Sequence, residues 1–270
     1  MEEELYTAIE AAIEAGNVIM EIYKKDFSVA FKEDESPLTE ADKAANAVIM
    51  TFLAKTSHPI ISEENKEVPF EIRKEWSTCW IVDPLDGTKE FVKKNGEFTV
   101  NIALIENNKP VLGVIYVPAT GQLYYAVVSK QKAYTLKIEN HRSPSKDQLF
   151  EKPKEIIPSS NPDVVRVVGS RSHMNQETLD YMETLKTQTS KPLDVVSKGS
   201  SLKLCLVAEG SAEVYPRFAP TMEWDTAAGH AICNAVGIPV TDMHTLNEMQ
   251  YNKANLLNPY FLVANERSIT

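Results

Sequence analysis

Apolar residues at Leu5, Ile9, Ala12, Ile13, Gly16, Met20 and Tyr23 recur in steps of three and four, the period that places them on one face of a core-packed helix. A second helix is expected from Thr39, burying Ala45, Val48, Ile49, Phe52 and Leu53, with Ser36-Pro37 ending the loop before it. Residues 59–62 read as a short strand running into Glu63-Glu64, and Trp80-Ile81-Val82 as a strand that stops at Asp83. Apolar segments at about 98–105, 111–117 and 122–128 follow, parted by Asn107-Asn108 and Pro118-Ala119-Thr120-Gly121. Strands this close, with turn signals between them, predict an antiparallel meander. Over 138–162 the pattern lapses, broken by Pro144, Pro153, Pro158 and Pro162, and reads as a linker or long surface loop. Beyond it strands and helices alternate: 164–168, a helix from Gln176, Val195-Val196, a helix from Ser200, 212–215, and a helix from Asp225 to Gly237. The change of pattern predicts two halves, α+β over 1–150 and α/β over 151–270.

The 270 residues are 43% hydrophobic, enough for a substantial core. A formal net charge of -10 argues against a nucleic acid polymer as partner, because polyanion binding needs a basic face. Cys79, Cys205 and Cys233 are widely spaced and form no Cys-x-x-Cys pair, the pattern of a reduced protein without structural zinc. The acidic start Met1-Glu2-Glu3-Glu4 lacks the features of an export signal, and no apolar run approaches the roughly 20 residues of a membrane span. A cytoplasmic location is expected, with peripheral association at the inner membrane and the oligomeric state left open.

Glycine-rich phosphate loops and the Gly-x-Ser-x-Gly elbow are absent, and the five histidines lack zinc-hydrolase spacing. Carboxylates remain. In Asp83-Pro84-Leu85-Asp86-Gly87-Thr88 an apolar strand ends at two aspartates three residues apart. Pro84 biases Asp83 toward extended backbone, so the strand can deliver one carboxylate while the turn brings Asp86 beside it. A helix beginning near Thr88 would offer the amides of Gly87 and Thr88 to a phosphate. Asp, Pro and Gly are also ordinary turn residues. Glu63-Glu64 follows a strand as Asp83 does, and reads either as a solvated loop or as a carboxylate beside the aspartates. Asp225 is either an N-cap or a metal ligand, and Asp42, three residues after Thr39, is either the acidic member of a capping box or a proton acceptor. An acid-only cluster suits Mg2+, which takes oxygen ligands together with substrate phosphate. Two such ions can serve an in-line displacement, with Thr88 orienting water and Asp42 taking its proton.

Glu63-Glu64, Asp83-Pro84-Leu85-Asp86-Gly87-Thr88 and Trp224-Asp225-x-Ala227-Ala228-Gly229 together resemble the signatures of the Mg2+-dependent, Li+-sensitive inositol monophosphatase superfamily. Lys89-Glu90-Phe91 and the stretch 95–103 resemble, within it, the bacterial 3'(2'),5'-bisphosphate nucleotidases of CysQ type. The resemblance implies an α+β fold of layered αβαβα sugar-phosphatase architecture, with the active site where the two halves meet. It implies that Glu63, Asp83, the Leu85 carbonyl, Asp86 and Asp225 hold two or three Mg2+ ions, with Mn2+ able to substitute. Asp42 and Thr88, with Glu63, would be catalytic, and Glu64 would support them from behind. Gly87, Thr88, His173, Ser200, Lys203, Arg217 and Asp225 would contact substrate.

The implied reaction removes the 3'-phosphate of adenosine 3',5'-bisphosphate, a by-product of sulfate assimilation, with 3'-phosphoadenylyl sulfate as a second substrate. Rival readings are an inositol monophosphatase, a fructose-1,6-bisphosphatase, or a phosphonucleotide-binding sensor without turnover. The intact Asp42 and Thr88 speak against a sensor. Lys89-Glu90-Phe91 speaks against inositol phosphates.

Overall fold

The computed structural model of the chain describes residues 1–25, 37–151, 153–159, 161, 163–169 and 174–265. Helix α1 (Glu2–Tyr23) buries Leu5, Ile9, Ala12, Ile13 and Gly16 on one face, as its period requires. Helix α2 (Pro37–Leu53) starts two residues before the expected Thr39. Proline is well accommodated at a first helical position, where its missing N–H would have no helical partner. Asp42 consequently falls in the second turn of α2 and is no member of a capping box.

The next elements are β1 (Ile60–Ser62), α3 (Phe70–Arg73), β2 (Thr78–Asp86), α4 (Thr88–Val92), β3 (Thr99–Glu106), β4 (Lys109–Val117), β5 (Gln122–Val127), β6 (Lys132–Lys137), α5 (Lys146–Glu151) and β7 (Lys154–Ile156). The seven strands form one sheet in chain order. β1 runs parallel to β2 with Ile61 opposite Ile81, and the later pairings are antiparallel, giving the expected meander. The segment 138–162 is not a bare loop, since it contains α5 and β7. Its buried anchors, Ile138, Leu149 and Ile156, are too far apart to show a period, and the Tyr125 hydroxyl fixes it by donating to the Leu149 carbonyl at 2.6 Å.

The remaining elements are β8 (Val165–Gly169), α6 (Gln176–Gln188), β9 (Leu193–Ser197), α7 (Leu202–Ala208), β10 (Val214–Arg217), α8 (Glu223–Ala235), β11 (Val240–Asp242) and β12 (Phe261–Ala264). A second sheet has the order β11-β12-β10-β8-β9. β8 is parallel to β9 and β10, while β12 is antiparallel to β10 and β11, so the sheet is mixed. Boundaries near the site move from expectation. Helix α7 begins at Leu202 rather than Ser200, β10 extends to Arg217, and α8 begins at Glu223, which puts Asp225 inside its first turn.

Helices α1 and α2 cover one face of the large sheet. Helix α8 covers the other, paired with α7, and both reach the small sheet, whose far side carries α6. The order is helix, sheet, helix, sheet, helix, the αβαβα layering expected. Three buried apolar clusters fill the layers: one between α1, α2 and the large sheet, one running from the large sheet across α7 and α8 to the small sheet, and one between the small sheet and α6. Gly113 on β4 sets how closely α8 approaches: a Cβ there would lie 2.3 Å from the Ala228 carbonyl oxygen. Among the described residues no helix is long and apolar enough to cross a membrane.

Candidate active site

The carboxylates converge where β2 ends and α8 begins. Asp83, near the end of a strand flanked by β1 and β3, is 1% exposed. Its Oδ1 accepts the Leu85 N–H at 3.0 Å, the local bond that turns the chain after Pro84. Asp86 follows at a bulge in the β2–β3 pairing between Asp83 and Asp86. A bulge re-aims a side chain, here bringing both aspartates to one side of the turn. From α8, Asp225 completes a set in which one carboxylate oxygen from each of Asp83, Asp86 and Asp225 lies within 4.8 Å of the others.

Asp225 is not the N-cap. Its Oδ2 accepts the Met222 N–H at 2.8 Å from the third helical position, so it braces the start of α8 as well as facing the cluster. Glu63 follows β1 directly, and its N–H donates to the Val82 carbonyl at 3.2 Å, one residue from Asp83. It stands beside the three aspartates rather than among them. Much of its side chain meets solvent, yet desolvation of its carboxyl is the largest influence raising its pKa, followed by the charges of Asp86 and Glu64.

Electrostatically the carboxylates crowd one another. Burial first, then the charges of Asp86, Glu63, Asp225 and Asp42, push Asp83 well above the usual carboxylate range. Burial and Asp86 raise Asp225 to about 7, and burial with Glu64, Glu63 and Asp86 raises Asp42 to about 8. Asp42 is 8% exposed and its Oδ1 is buried without a hydrogen-bond partner. An orphaned carboxylate oxygen beside clustered acids is what an all-oxygen site for a hard divalent cation offers.

Gly87 takes a left-handed backbone (φ 97) and caps α4, whose first residue is Thr88. A Cβ at this position would be strained in that conformation and would crowd Ser200 Cβ at 3.2 Å. Thr88 is exposed, on a helix that packs against α2, the helix of Asp42.

A cleft of about 310 Å3 opens beside this cluster, lined by Asp86, Gly87, Asp225, Ser200, Lys203 and Arg217 among others. Lys203 Nζ donates to the Ser200 carbonyl at 2.9 Å, and burial pushes its pKa down. Arg217 Nη2 donates to the Pro220 carbonyl at 3.1 Å, while its Nε is buried with no partner. Ser200 has a positive φ of 45, and His173 lies outside the described residues.

Residues without a motif complete the site. Ser201 N–H donates to Asp86 Oδ2 at 2.7 Å, and Ser201 Oγ lies 2.7 Å from both that oxygen and the Asp225 carbonyl. Asn101 Nδ2 donates to Ser201 Oγ at 2.8 Å, and Thr99 Oγ1 donates to Asn101 Oδ1 at 2.9 Å. Thr99 and Asn101 are buried and sit opposite Asp86 and Asp83 on β3. The signal was present in outline: two polar residues at alternate positions of an otherwise apolar strand face one way.

This αβαβα frame with an acid cluster between its layers defines a class. The family model described as "Inositol monophosphatase family" matches residues 1–269, and the chain belongs to that family. Within it, the chain is 44% identical over 254 residues to the 3'(2'),5'-bisphosphate nucleotidase CysQ of Salmonella typhimurium, covering 92% of this chain and 94% of that protein. The CysQ of Haemophilus influenzae is 32% identical over 266 residues, covering 95% and 91%. The crystal structure of CysQ from Bacteroides thetaiotaomicron superposes with a TM-score of 0.89 at 47% identity, covering 98% of this chain and 97% of that one. Inositol monophosphatase II of Staphylococcus aureus shares the fold at a TM-score of 0.71 and 22% identity, covering 95% and 86%.

Proposed function

We propose that this protein is a Mg2+-dependent 3'(2'),5'-bisphosphate nucleotidase that hydrolyses the 3'-phosphate of adenosine 3',5'-bisphosphate, giving AMP and inorganic phosphate. 3'-Phosphoadenylyl sulfate is the second substrate. The observation that carries the reading is a single cleft whose lining has two chemical parts, the carboxylates Asp86 and Asp225 and the cations Lys203 and Arg217. A substrate with one phosphate would satisfy only the first. A bisphosphate gives both parts a partner, and its second phosphate can take the free Arg217 Nε in a charge-assisted bond. The identity shared with the CysQ proteins supports the same choice over an inositol or fructose phosphate.

Glu63, Asp83, Asp86, Asp225 and the Leu85 carbonyl would hold Mg2+ as two or three ions, or Mn2+ in its place, since every donor is oxygen. Bound there, the metal would supply neutralisation of phosphate charge and a lowered pKa for attacking water. The Gly87 and Thr88 amides would face the reacting phosphate, the Thr88 hydroxyl would orient the water, and Asp42 would accept its proton. The water oxygen bonds to phosphorus as the bond to the 3'-oxygen breaks, and the departing oxygen takes up a proton. Ser200 and His173 would contact the nucleotide. Cys79, Cys205 and Cys233 are all buried and unpaired, consistent with a reducing cytoplasm.

Phosphate release over a panel of nucleotides and sugar phosphates tests the substrate. Hydrogen bonds to charged groups contribute roughly 1.5 to 3 kcal/mol, so Arg217→Ala or Lys203→Ala should lower kcat/KM for the bisphosphate about ten- to a hundredfold while sparing 3'-AMP. Equal losses on both substrates would place these residues at the reacting phosphate or in the fold, and a wild type faster on inositol 1-phosphate than on the bisphosphate would overturn the assignment. For Thr88→Ala, kcat should fall about tenfold or more with little change in KM, because the lost contact is to water rather than substrate. A kcat near that of the wild type would remove Thr88 from the mechanism.

A further inference from the structure

One buried guanidinium links the segment that carries Glu63 to the helix that carries Asp225. Arg73, the last residue of α3, is 1% exposed. Its Nε donates to the Val68 carbonyl at 2.7 Å and its Nη2 lies 3.4 Å from Glu67 Oε1, which holds the stretch following Glu63. Its Nη1 donates to Asn252 Oδ1 at 2.7 Å and to the Lys253 carbonyl at 3.1 Å, and Asn252 Nδ2 donates back to the Arg73 carbonyl at 2.8 Å. The backbone then carries the link onward: the N–H groups of Asn252 and Lys253 donate to Glu223 Oε2 and Oε1 at 2.6 and 3.0 Å. Glu223 is 0% exposed, opens α8, and also pairs with Lys253 Nζ. Asp225 is two residues further on.

One apolar cluster already joins Ile61, just before Glu63, to Met222, Trp224 and Leu256 around the start of α8. Between the two segments lies a cavity of about 480 Å3, lined by Glu63, Val68, Trp224 and Leu256, with Arg73 at its wall. At the cavity itself side chains do not interdigitate, and there hydrogen bonds of fixed geometry add to that packing in setting the spacing, a planar guanidinium doing so in several directions at once.

We propose that Arg73 and Asn252 are positioning residues that set the separation of Glu63 from Asp225 and thereby the affinity of the site for divalent cations. The inference rests on the reading of these carboxylates as metal ligands. Groups that orient ligands from behind commonly change metal affinity by about ten- to a hundredfold. Asn252→Gly is the clean cut. Asn252 has a φ of 56, which glycine adopts freely, and the backbone N–H to Glu223 is kept while both side-chain bonds to Arg73 are lost. Arg73→Lys keeps the charge but loses the fork. Arg166→Met, which breaks the ion pair of Arg166 with buried Glu213 away from the site, is the control for loss of stability alone.

Mg2+ affinity is measured on the full-length protein by calorimetry and by the Mg2+ dependence of Tm, alongside KM at saturating Mg2+. The expected result is a Mg2+ Kd raised about tenfold in Asn252→Gly and by a smaller factor in Arg73→Lys. The control should keep the wild-type Kd, and KM should hold within about twofold throughout, because substrate contacts are intact. An unchanged Kd in Asn252→Gly and Arg73→Lys, or an equal rise in Arg166→Met, would reduce the bridge to a fold staple. A wild type that binds no Mg2+ would sink the metal reading itself and the inference with it.

Discussion

Asp83→Asn is expected to lower kcat by about a thousandfold or more while leaving the fold intact and the metal-free protein more stable. The amide is nearly isosteric and its oxygen can still accept the Leu85 N–H, so the turn survives. What is lost is charge. A metal that neutralises phosphate and activates water supplies several kcal/mol of transition-state stabilisation, and each 1.36 kcal/mol is about tenfold in rate. Stability moves the other way because ionised Asp83 is buried and faces Asp86, Glu63, Asp225 and Asp42. Acids at about 4 Å repel by roughly 4 kcal/mol per pair at an effective dielectric of 20, an upper guide for a screened site. Phosphate release, together with melting curves in chelator at pH 8, checks both halves. Turnover close to wild type would exclude Asp83 from metal binding.

In chelator the wild type should lose stability as pH rises from about 4 to 8, and Mg2+ should reverse much of that loss. The sign follows from the direction of the shifts. Asp225 is raised from 3.8 to about 7 and Asp42 from 3.8 to about 8. The folded state therefore holds protons that the unfolded chain has released, and stability falls with pH wherever the folded state binds more protons. The contribution is fully present below the unfolded value near 4 and is lost as pH passes through the folded values. A shift of about three units corresponds to about 4 kcal/mol, and the several carboxylates share one field, so their contributions do not simply add. Mg2+ displaces the protons by binding only the folded state. At 100 times its Kd it adds about 2.7 kcal/mol, or roughly 5 to 10 °C in Tm for a chain of this size. A Tm that is flat across this pH range in chelator, or that does not respond to Mg2+ at pH 8, would count against a shared carboxylate site.

Much of the acid cluster can be read from short stretches of sequence because its geometry is local. An apolar strand ending at Asp83-Pro84-Leu85-Asp86-Gly87 has few ways to turn, and the Asx bond from Leu85, the bulge and the left-handed glycine are all built within those residues. Glu63 is nearly as legible, since β1 pairs in parallel with β2 and its end must lie near the end of β2. The strands β6, β11 and β12 escaped notice for the opposite reason. β11 and β12 are only three and four residues long, too short to show a period, and in the six-residue β6 only Ala133 is fully buried, so pairing partners rather than a local pattern hold it in place.

What the sequence determined by itself was therefore the helical and strand periods, the absence of glycine-loop and serine-elbow chemistry, and the type of ion that acid-only clusters suit. Tertiary structure alone decided which acids come together: Asp225 joins Asp83 and Asp86 from 139 residues beyond Asp86 because Gly113 lets α8 lie against the large sheet. It also decided the supports, with Ser201 and Asn101 holding Asp86 and the Arg73–Asn252–Glu223 bridge reaching the start of α8. Periodicity reports which face of an element is buried, because that depends on residues a few positions apart. Hydrogen bonds between buried groups distant in sequence leave no period, and only the packed layers bring them within reach.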